Sequence, residues 1–285
     1  MINVCIVLVT HNRLEYTRKT IARLLEDPSE EFELYLWDNA SSDETPEYLK
    51  EEVKDPRIVE TILNKENVGQ AGAMNYAWSK TKAQLVGKLD NDCLVTPGWT
   101  RILAKAHEDV EELGAVACWH YPLDEFDEDA ARKAGKIQSF GKHRILRHPW
   151  VCGSGFIMKR KTYEKYGPWE VGPDVGTTYY FLRMARGGEI NGWYYPLVLQ
   201  EHMDDPRSEH SLVTDDESVR KMYNVTYTLR TLKINSMKSR WERRPIVLKN
   251  MLSDPWEAKY YVGWRGKLRA LKGKWRRLVR RMYSC

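Results

Sequence analysis

Residues 83–99 read AQLVGKLDNDCLVTPGW. An apolar run of strand length ends at Asp90, Asn91 and Asp92, and Pro97 then opens a segment whose apolar residues recur at helical spacing. A strand, a polar turn and a helix in succession form the repeating unit of parallel α/β sheets. Two carboxylates separated by one residue also repel each other, a cost offset only when a cation or cationic ligand lies between them. The same stretch therefore points to a fold class and marks a site. The alternative is that Asp90 and Asp92 only cap the helix that starts near Pro97.

The flanking sequence repeats the unit. INVCIVLVT (2–10) is a nearly continuous, β-branched apolar run, as expected of a strand buried on both faces. RLEYTRKTIARLLED (13–27) carries apolar residues at helical spacing, EFELYLWDN (31–39) reads as a strand, DETPEYLKEEV (43–53) as a short helix and RIVETILN (57–64) as a strand. VGQAGAMNYAWSKT (68–81) reads as a helix and GAVACW (114–119) as a strand. This alternation predicts an α/β fold with a mostly parallel central sheet flanked by helices. Ligands bind such sheets beyond the carboxyl ends of the strands. Thr10 to Asn12, Asp38 to Asp43, Asn64 to Gly69 and Asp90 to Asp92 each follow a strand, so all four polar clusters should gather on one edge.

Beyond Trp119 the periodicity fades. Residues 121–149 are charged and aperiodic and read as a long loop or lid. WVCGSGFIMKRKTYEKYG (150–167) reads as a strand interrupted at Gly153, Ser154 and Gly155, where a ligand could approach closely, followed by a short helix. A helix is expected over 177–186, and INGWYYPLVLQEHMDD (190–205) reads as one last strand ending at His202.

Composition excludes several classes. At 285 residues, 42% hydrophobic and 30% charged, the chain resembles an ordinary globular protein. It holds no run of about 18 apolar residues, and its N-terminus lacks the basic flank of a secretory signal. The five scattered cysteines form no CxxC pair, which argues against a disulfide framework or zinc site and suits a cytoplasmic setting.

VTHNRLEYTRKTI, WDNASSDETPEYL, NKENVGQAGAMNYA, LVGKLDNDCLVTPGW and GSGFIMKRKTYEKYG, in this order and spacing, resemble the family 2 glycosyltransferases of the GT-A fold over roughly residues 3–202. The resemblance implies inverting transfer of a sugar from a nucleoside diphosphate to an acceptor hydroxyl, assisted by Mn²⁺ or Mg²⁺. Asp92 would be the metal ligand, with Asp90 holding the ribose or reaching the metal through water. A divalent cation there would stabilise charge developing on the leaving diphosphate. In similar enzymes residues at the positions of Thr10, His11, Asn12 and Arg13 lie against base and ribose. Asp38 would accept from N3–H of uracil or thymine, which makes a UDP-sugar the favoured donor. Asn67, Gly69 and Gly72 would bring the chain close to the ligand, alongside Asn91, whereas Ser42 and Asp43 also fit turn and capping roles. His202 stands where many such enzymes place a further metal ligand. Trp150, Gly153, Ser154, Gly155 and Trp169 would line the donor-sugar and acceptor site. The family's Glu-Asp pair carrying the general base is missing, leaving Asp174 as the candidate base and Glu170 as second choice.

The C-terminus has a different character. From Trp264 onward there are nine Lys or Arg and no Asp or Glu, so the tail carries +9 against −4 for the rest. Trp264, Leu268, Leu271, Trp275, Leu278 and Met282 would form one apolar helical stripe. The resulting layout is a catalytic domain over 1–205, a helical extension over 206–262 with a helix starting near Asp215, and a basic amphipathic tail over 263–285. Such a tail suits the interface of an anionic membrane, with the protein peripheral on the inner face and acting on a glycan or lipid-linked glycan. Packing of the stripe on the body, a partner helix and nucleic acid compete with that reading. A nucleotidyltransferase of related fold is the enzymatic rival, but THNRLEYT lacks the Gly-rich loop that grips a triphosphate. An inactive membrane or nucleic-acid adaptor is the non-enzymatic one.

Overall fold

A computed structural model describes residues 3–171, 177–205, 207–218, 244–269 and 271. Strand β1 (Val4–Thr10) is buried at every position. Its residues alternate between two cores. Cys5, Val7 and Val9 join Trp37, Met74 and Trp78, while Val4, Ile6 and Leu8 join Leu24, Leu36, Trp99 and Leu103. A strand between two apolar layers needs apolar side chains at both parities, and this explains the unbroken run. Each Leu or Ile so buried contributes about 1.5–3 kcal/mol.

The remaining elements follow in order: α1 (Leu14–Leu25), β2 (Glu33–Asp38), α2 (Thr45–Glu47) running into a π-helical turn, β3 (Ile58–Leu63), α3 (Gly69–Lys80), β4 (Leu85–Asp90), β5 (Cys93–Val95), α4 (Trp99–Asp109) and β6 (Leu113–Ala117). Then come α5 (Glu128–Lys133), β7 (Ile137–Phe140), β8 (His143–Arg147), β9 (Gly155–Lys159), α6 (Arg160–Tyr166), α7 (Thr177–Arg186), β10 (Ile190–Tyr195), β11 (Gln200–His202) and α8 (Arg244–Ser253). Nine strands form one sheet in the order β3-β2-β1-β4-β9-β6-β10-β8-β7. The half from β3 to β4 is parallel, and β9 then enters antiparallel between β4 and β6.

Three expectations are corrected. Residues 121–149 are not a structureless lid: they hold α5 and the β7–β8 hairpin, which extends the sheet beyond β10. The hairpin's Ile145 and Leu146 are buried, but its charged flanks hide any period in so short a strand. Residues 190–205 form two strands, broken at Pro196, and the second leaves the main sheet to pair antiparallel with β5. Residues 150–154 precede β9 and do not interrupt it, so that strand begins only at Gly155.

The C-terminal extension does not stand apart from the body. Leu248 and Leu252 of α8 are buried in the core cluster that holds Trp78 and Trp193. Asp215 accepts from the Ser218 amide (2.7 Å) and so caps the short turn that follows it. The rest of the helix expected there lies outside the described residues.

His107 illustrates how the core couples stability to acid. It is 1% exposed on α4, and its Nε2 lies 3.0 Å from the Ile157 carbonyl. Burial first, then nearby Lys159, lowers its pKa to about 3. The unfolded chain therefore binds a proton that the folded one refuses between about pH 6.5 and pH 3. Stability rises with pH across that window and is lost as pH falls through it. In urea titrations, His107→Gln should remove on the order of 3 kcal/mol of the stability loss between pH 7 and pH 4. An unchanged pH dependence in the variant would show that acid sensitivity arises elsewhere.

Candidate functional site

The carboxyl ends of the parallel strands meet in register. Thr10 stands opposite Asp38, Val9 opposite Asp90 and Leu63 opposite Asp38. The four polar clusters therefore do assemble on one edge.

The loop after β1 carries unusual backbone. Asn12 (φ 55°) and Arg13 (φ 64°) are both left-handed, as is Ala40 (φ 63°) in the loop after β2. Non-glycine residues pay to adopt this conformation and do so where surrounding bonds over-determine it. Here the bonds are explicit. The Asn12 amide donates to Ser41 Oγ (2.7 Å), and Asn12 Oδ1 accepts from the Ser42 amide (2.7 Å). Asp43 accepts from the amides of Leu14 (3.1 Å) and Thr45 (3.1 Å), tying the start of α1 to the second loop. Asp43 therefore serves a turn and capping role, while Ser42 donates its amide and hydroxyl to Asn12 Oδ1 and so ties the two loops together.

Asp38 is buried. Its carboxylate accepts from Thr10 Oγ1 (3.0 Å), from the Ser41 amide (3.0 Å) and from Ser41 Oγ. Asn67 Oδ1 accepts from Asn39 Nδ2 (2.7 Å) and from the Gly69 amide (2.9 Å), which joins the third loop to the second. Gly69 is required by its φ of 71°, since a Cβ there would meet nothing. At Gly72 a Cβ would instead strike Val68. His11 is half-buried beside this network, and burial lowers its pKa.

Asp92 is the electrostatic centre. Its Oδ2 accepts from Arg13 Nη1 (2.8 Å) and lies 3.7 Å from His202 Nδ1. Arg13 Nη2 also donates to Asn91 Oδ1 (2.7 Å), and Asn91 Nδ2 donates to the Asn12 carbonyl (3.0 Å) and Thr17 Oγ1 (2.9 Å). Burial pushes the Asp92 carboxyl up, but His202 and Arg13 outweigh it and hold it well below the usual carboxylate range. Asp90 behaves oppositely. Burial raises its pKa, Lys88 at 2.6 Å opposes and the Asp92 charge adds. Neither carboxylate caps a helix: α4 begins after Gly98, in left-handed backbone, with no side-chain cap. Electrostatic pairing, and not capping, therefore lets the two acids stand together.

His202 comes to Asp92 because β11 pairs with β5, placing His202 opposite Cys93 and the Met203 amide on the Asp92 carbonyl (2.8 Å). Ligand atoms of Asp92, Cys93 and His202 lie within 4.8 Å of one another. A carboxylate suits Mn²⁺ or Mg²⁺ and an imidazole suits Mn²⁺, whereas the Cys93 thiol suits neither. Sulfur is soft, and burial raises the Cys93 pKa far above its ordinary value. The donor set thus fits a hard divalent cation through Asp92 and His202.

Other expected contacts fall differently. Trp169 is not a sugar platform: it is 4% exposed and stacks on Tyr180 at 4.1 Å and 11°. Its backbone is clamped by Asn75 through two bonds (2.8 and 2.9 Å). Exposed Glu170 follows it directly, while Asp174 lies outside the described residues. Gly155 does not make room for a ligand. A Cβ there would come within 1.9 Å of Gln200 Oε1, and Gln200 Nε2 donates to Ser154 Oγ (2.7 Å), so this close approach belongs to the protein. Gly153 sits in the loop just before, and Trp150 is half-buried against His148 (4.4 Å) and Tyr261 (4.6 Å). Sequence reasoning missed Lys88, although a lone cation inside the apolar run LVGKL was a legible signal, and Asp204, which pairs with His202.

Residues 5–167, more than half of the chain, match the family described as glycosyl transferase family 2. The chain belongs to that family. A curated relative from Rickettsia bellii, named an uncharacterized glycosyltransferase, is 30% identical over 91 residues, covering 32% of this chain and only 13% of that protein. Solved structures resemble this glycosyltransferase at lower identity. A mannosyltransferase from Pyrobaculum calidifontis in complex with GDP-Man and Mn²⁺ has a TM-score of 0.57 at 17% identity, covering 88% of this chain and 72% of that one. TarS 1-349 of S. aureus in complex with UDP-GlcNAc scores 0.56 at 10%, covering 87% and 72%. GalNAc-T7 with UDP, GalNAc and Mn²⁺ scores 0.59 at 14%, covering 92% and 56%. At these identities the likeness shows the GT-A fold, with its mixed, mostly parallel sheet.

Proposed function

We propose that this glycosyltransferase is an inverting, metal-dependent enzyme that transfers sugar from a nucleoside diphosphate sugar, a UDP-sugar by preference, to a hydroxyl of a glycan or lipid-linked glycan presented at a membrane surface. The observation that carries the reading is the meeting of Asp92, His202 and Arg13 at the sheet edge where the loops after β1 and β2 are bonded together. A Mn²⁺ or Mg²⁺ ion held by Asp92 and His202 would supply Lewis-acid stabilisation to the leaving diphosphate. Asp90, steadied by Lys88, presents a carboxylate to the ribose. Arg13 adds a fixed positive charge beside the same phosphates.

The preference for UDP is supported by the occupancy of Asp38. A carboxylate accepts about four hydrogen bonds, and three are already made. One remaining acceptor position suits the single N3–H of uracil better than the two donor groups on a guanine edge. Inversion needs a base within reach of the acceptor hydroxyl. Asp174 and, next to the clamped Trp169, Glu170 remain the residues proposed for it, with Trp150 and Gly153 on the acceptor side.

Calorimetric titration with UDP, TDP and GDP, with and without Mn²⁺, tests the donor reading. UDP binding that strengthens with Mn²⁺ and exceeds GDP binding is the expected result. Binding indifferent to Mn²⁺ would overturn the metal dependence, and a preference for GDP would overturn the assignment of Asp38.

A further inference from the structure

The last described helix packs inside out. Over 263–269 its polar side faces the body: Arg269 pairs with Asp254 and lies over the Tyr261 ring at 4.1 Å, and a Cβ at Gly266 would strike the Tyr261 carbonyl. Its apolar side faces water. Trp264 is 66% exposed, Leu268 47% and Leu271 60%, at spacings of four and three that put them on one face. Packing of the stripe on the body of the protein, one of the rival readings of the tail, is therefore excluded for these three residues.

A helix with this orientation leaves Trp264, Leu268 and Leu271 as one contiguous apolar face in solvent, and such faces often mark an interaction surface. The charges around it identify the partner. Arg265 and Lys267 are exposed beside the stripe, and Arg265 lies over the Trp264 ring at 5.3 Å. In the remaining sequence Trp275, Leu278 and Met282 keep the same spacing, with six more cations and no acid. Nucleic acid would use the cations and leave the apolar residues in water. An anionic lipid interface takes both: Trp and Leu enter the boundary between headgroups and acyl chains, while Arg and Lys meet the phosphates.

We infer that the face formed by Trp264, Leu268 and Leu271 with Arg265 and Lys267 docks this protein on an anionic membrane, beside the loop that serves the acceptor. The link to that loop is a contact: Tyr261, three residues before Trp264, packs edge-on against Trp150 at 4.6 Å and lies near His148 at 6.0 Å. Docking therefore holds Trp150 close to the lipid surface, which suits an acceptor that is itself lipid-linked. This last step rests on the acceptor-side reading of Trp150 given above.

Co-sedimentation of the full chain with phosphatidylcholine vesicles, with and without phosphatidylglycerol, tests the surface. We expect binding to the phosphatidylglycerol vesicles that weakens with added salt and falls about tenfold or more in the triple variant W264S/L268S/L271S. Because all three side chains are exposed, circular dichroism and UDP calorimetry should not change in that variant. Vesicle binding equal to that of the wild type would overturn the proposal, as would wild-type protein that stays in the supernatant. Tighter binding to duplex DNA than to the anionic vesicles, unaltered by the triple substitution, would assign the cations to nucleic acid and overturn it too. Vesicle binding without UDP binding would support the docking surface and fault the donor site separately.

Discussion

Replacing Asp92 by Asn is expected to lower sugar transfer by about 10²- to 10³-fold and to abolish any strengthening of nucleotide binding by Mn²⁺. Asn keeps the shape of the side chain and one acceptor oxygen for Arg13 but loses the charge. Asp92 is 4% exposed and already ion-paired, so a cation bound there gains from a low-dielectric setting that an exposed carboxylate would not provide. The charge also balances Arg13, whose side chain is 10% exposed. Its removal should cost about 1–3 kcal/mol of stability. Thermal unfolding measured beside the transfer assay separates the two effects. Transfer within about threefold of wild type would remove Asp92 from the catalytic site, whereas a collapse of the fold would be visible in the melt.

Trp169→Ala should act through stability alone, with a loss of about 3–5 kcal/mol. Besides Tyr180, the ring meets Phe181 at 5.3 Å, Phe156 at 6.0 Å and Trp78 at 6.1 Å, so truncation would empty the centre of an aromatic cluster. Were Trp169 a sugar platform, the variant would melt normally and show a raised KM for sugar. The half-buried Trp150 provides the contrast, because its Ala variant should change acceptor KM more than it changes the melting temperature. Urea titrations of both variants, read against acceptor saturation curves, decide the matter.

Much of the site was legible because its first half is local. Each of Thr10, Asp38 and Asp90 ends an apolar run, and polar residues at that position in parallel strands must converge on one edge. Asp43 and Asn67 were equally visible, yet the structure spends both on bonds between loops. Sequence position cannot separate a polar residue that meets a ligand from one that holds the loop in shape. Backbone conformation adds a mark that sequence position lacks. Asn12 and Arg13 in left-handed geometry mark where the loop is held against its own preference.

The amino-acid sequence by itself determined the β-α alternation of the first hundred residues, the double-sided burial of β1, the family, and the charge contrast between body and tail. The alternation, the burial and the charge contrast rest on periodicity and composition within short windows, and the family rests on five motifs kept in order along the chain. The tertiary structure decided what depends on pairing across long separations. The β5–β11 bridge brings His202 to Asp92 across more than a hundred residues, the cluster around Trp78 claims Trp169, and Gln200 explains Gly155. The face that 263–269 turns outward belongs with these. An apolar stripe has the same spacing whether it faces a core or water, and only the pairing of Arg269 with Asp254 shows which side of this helix is held against the protein.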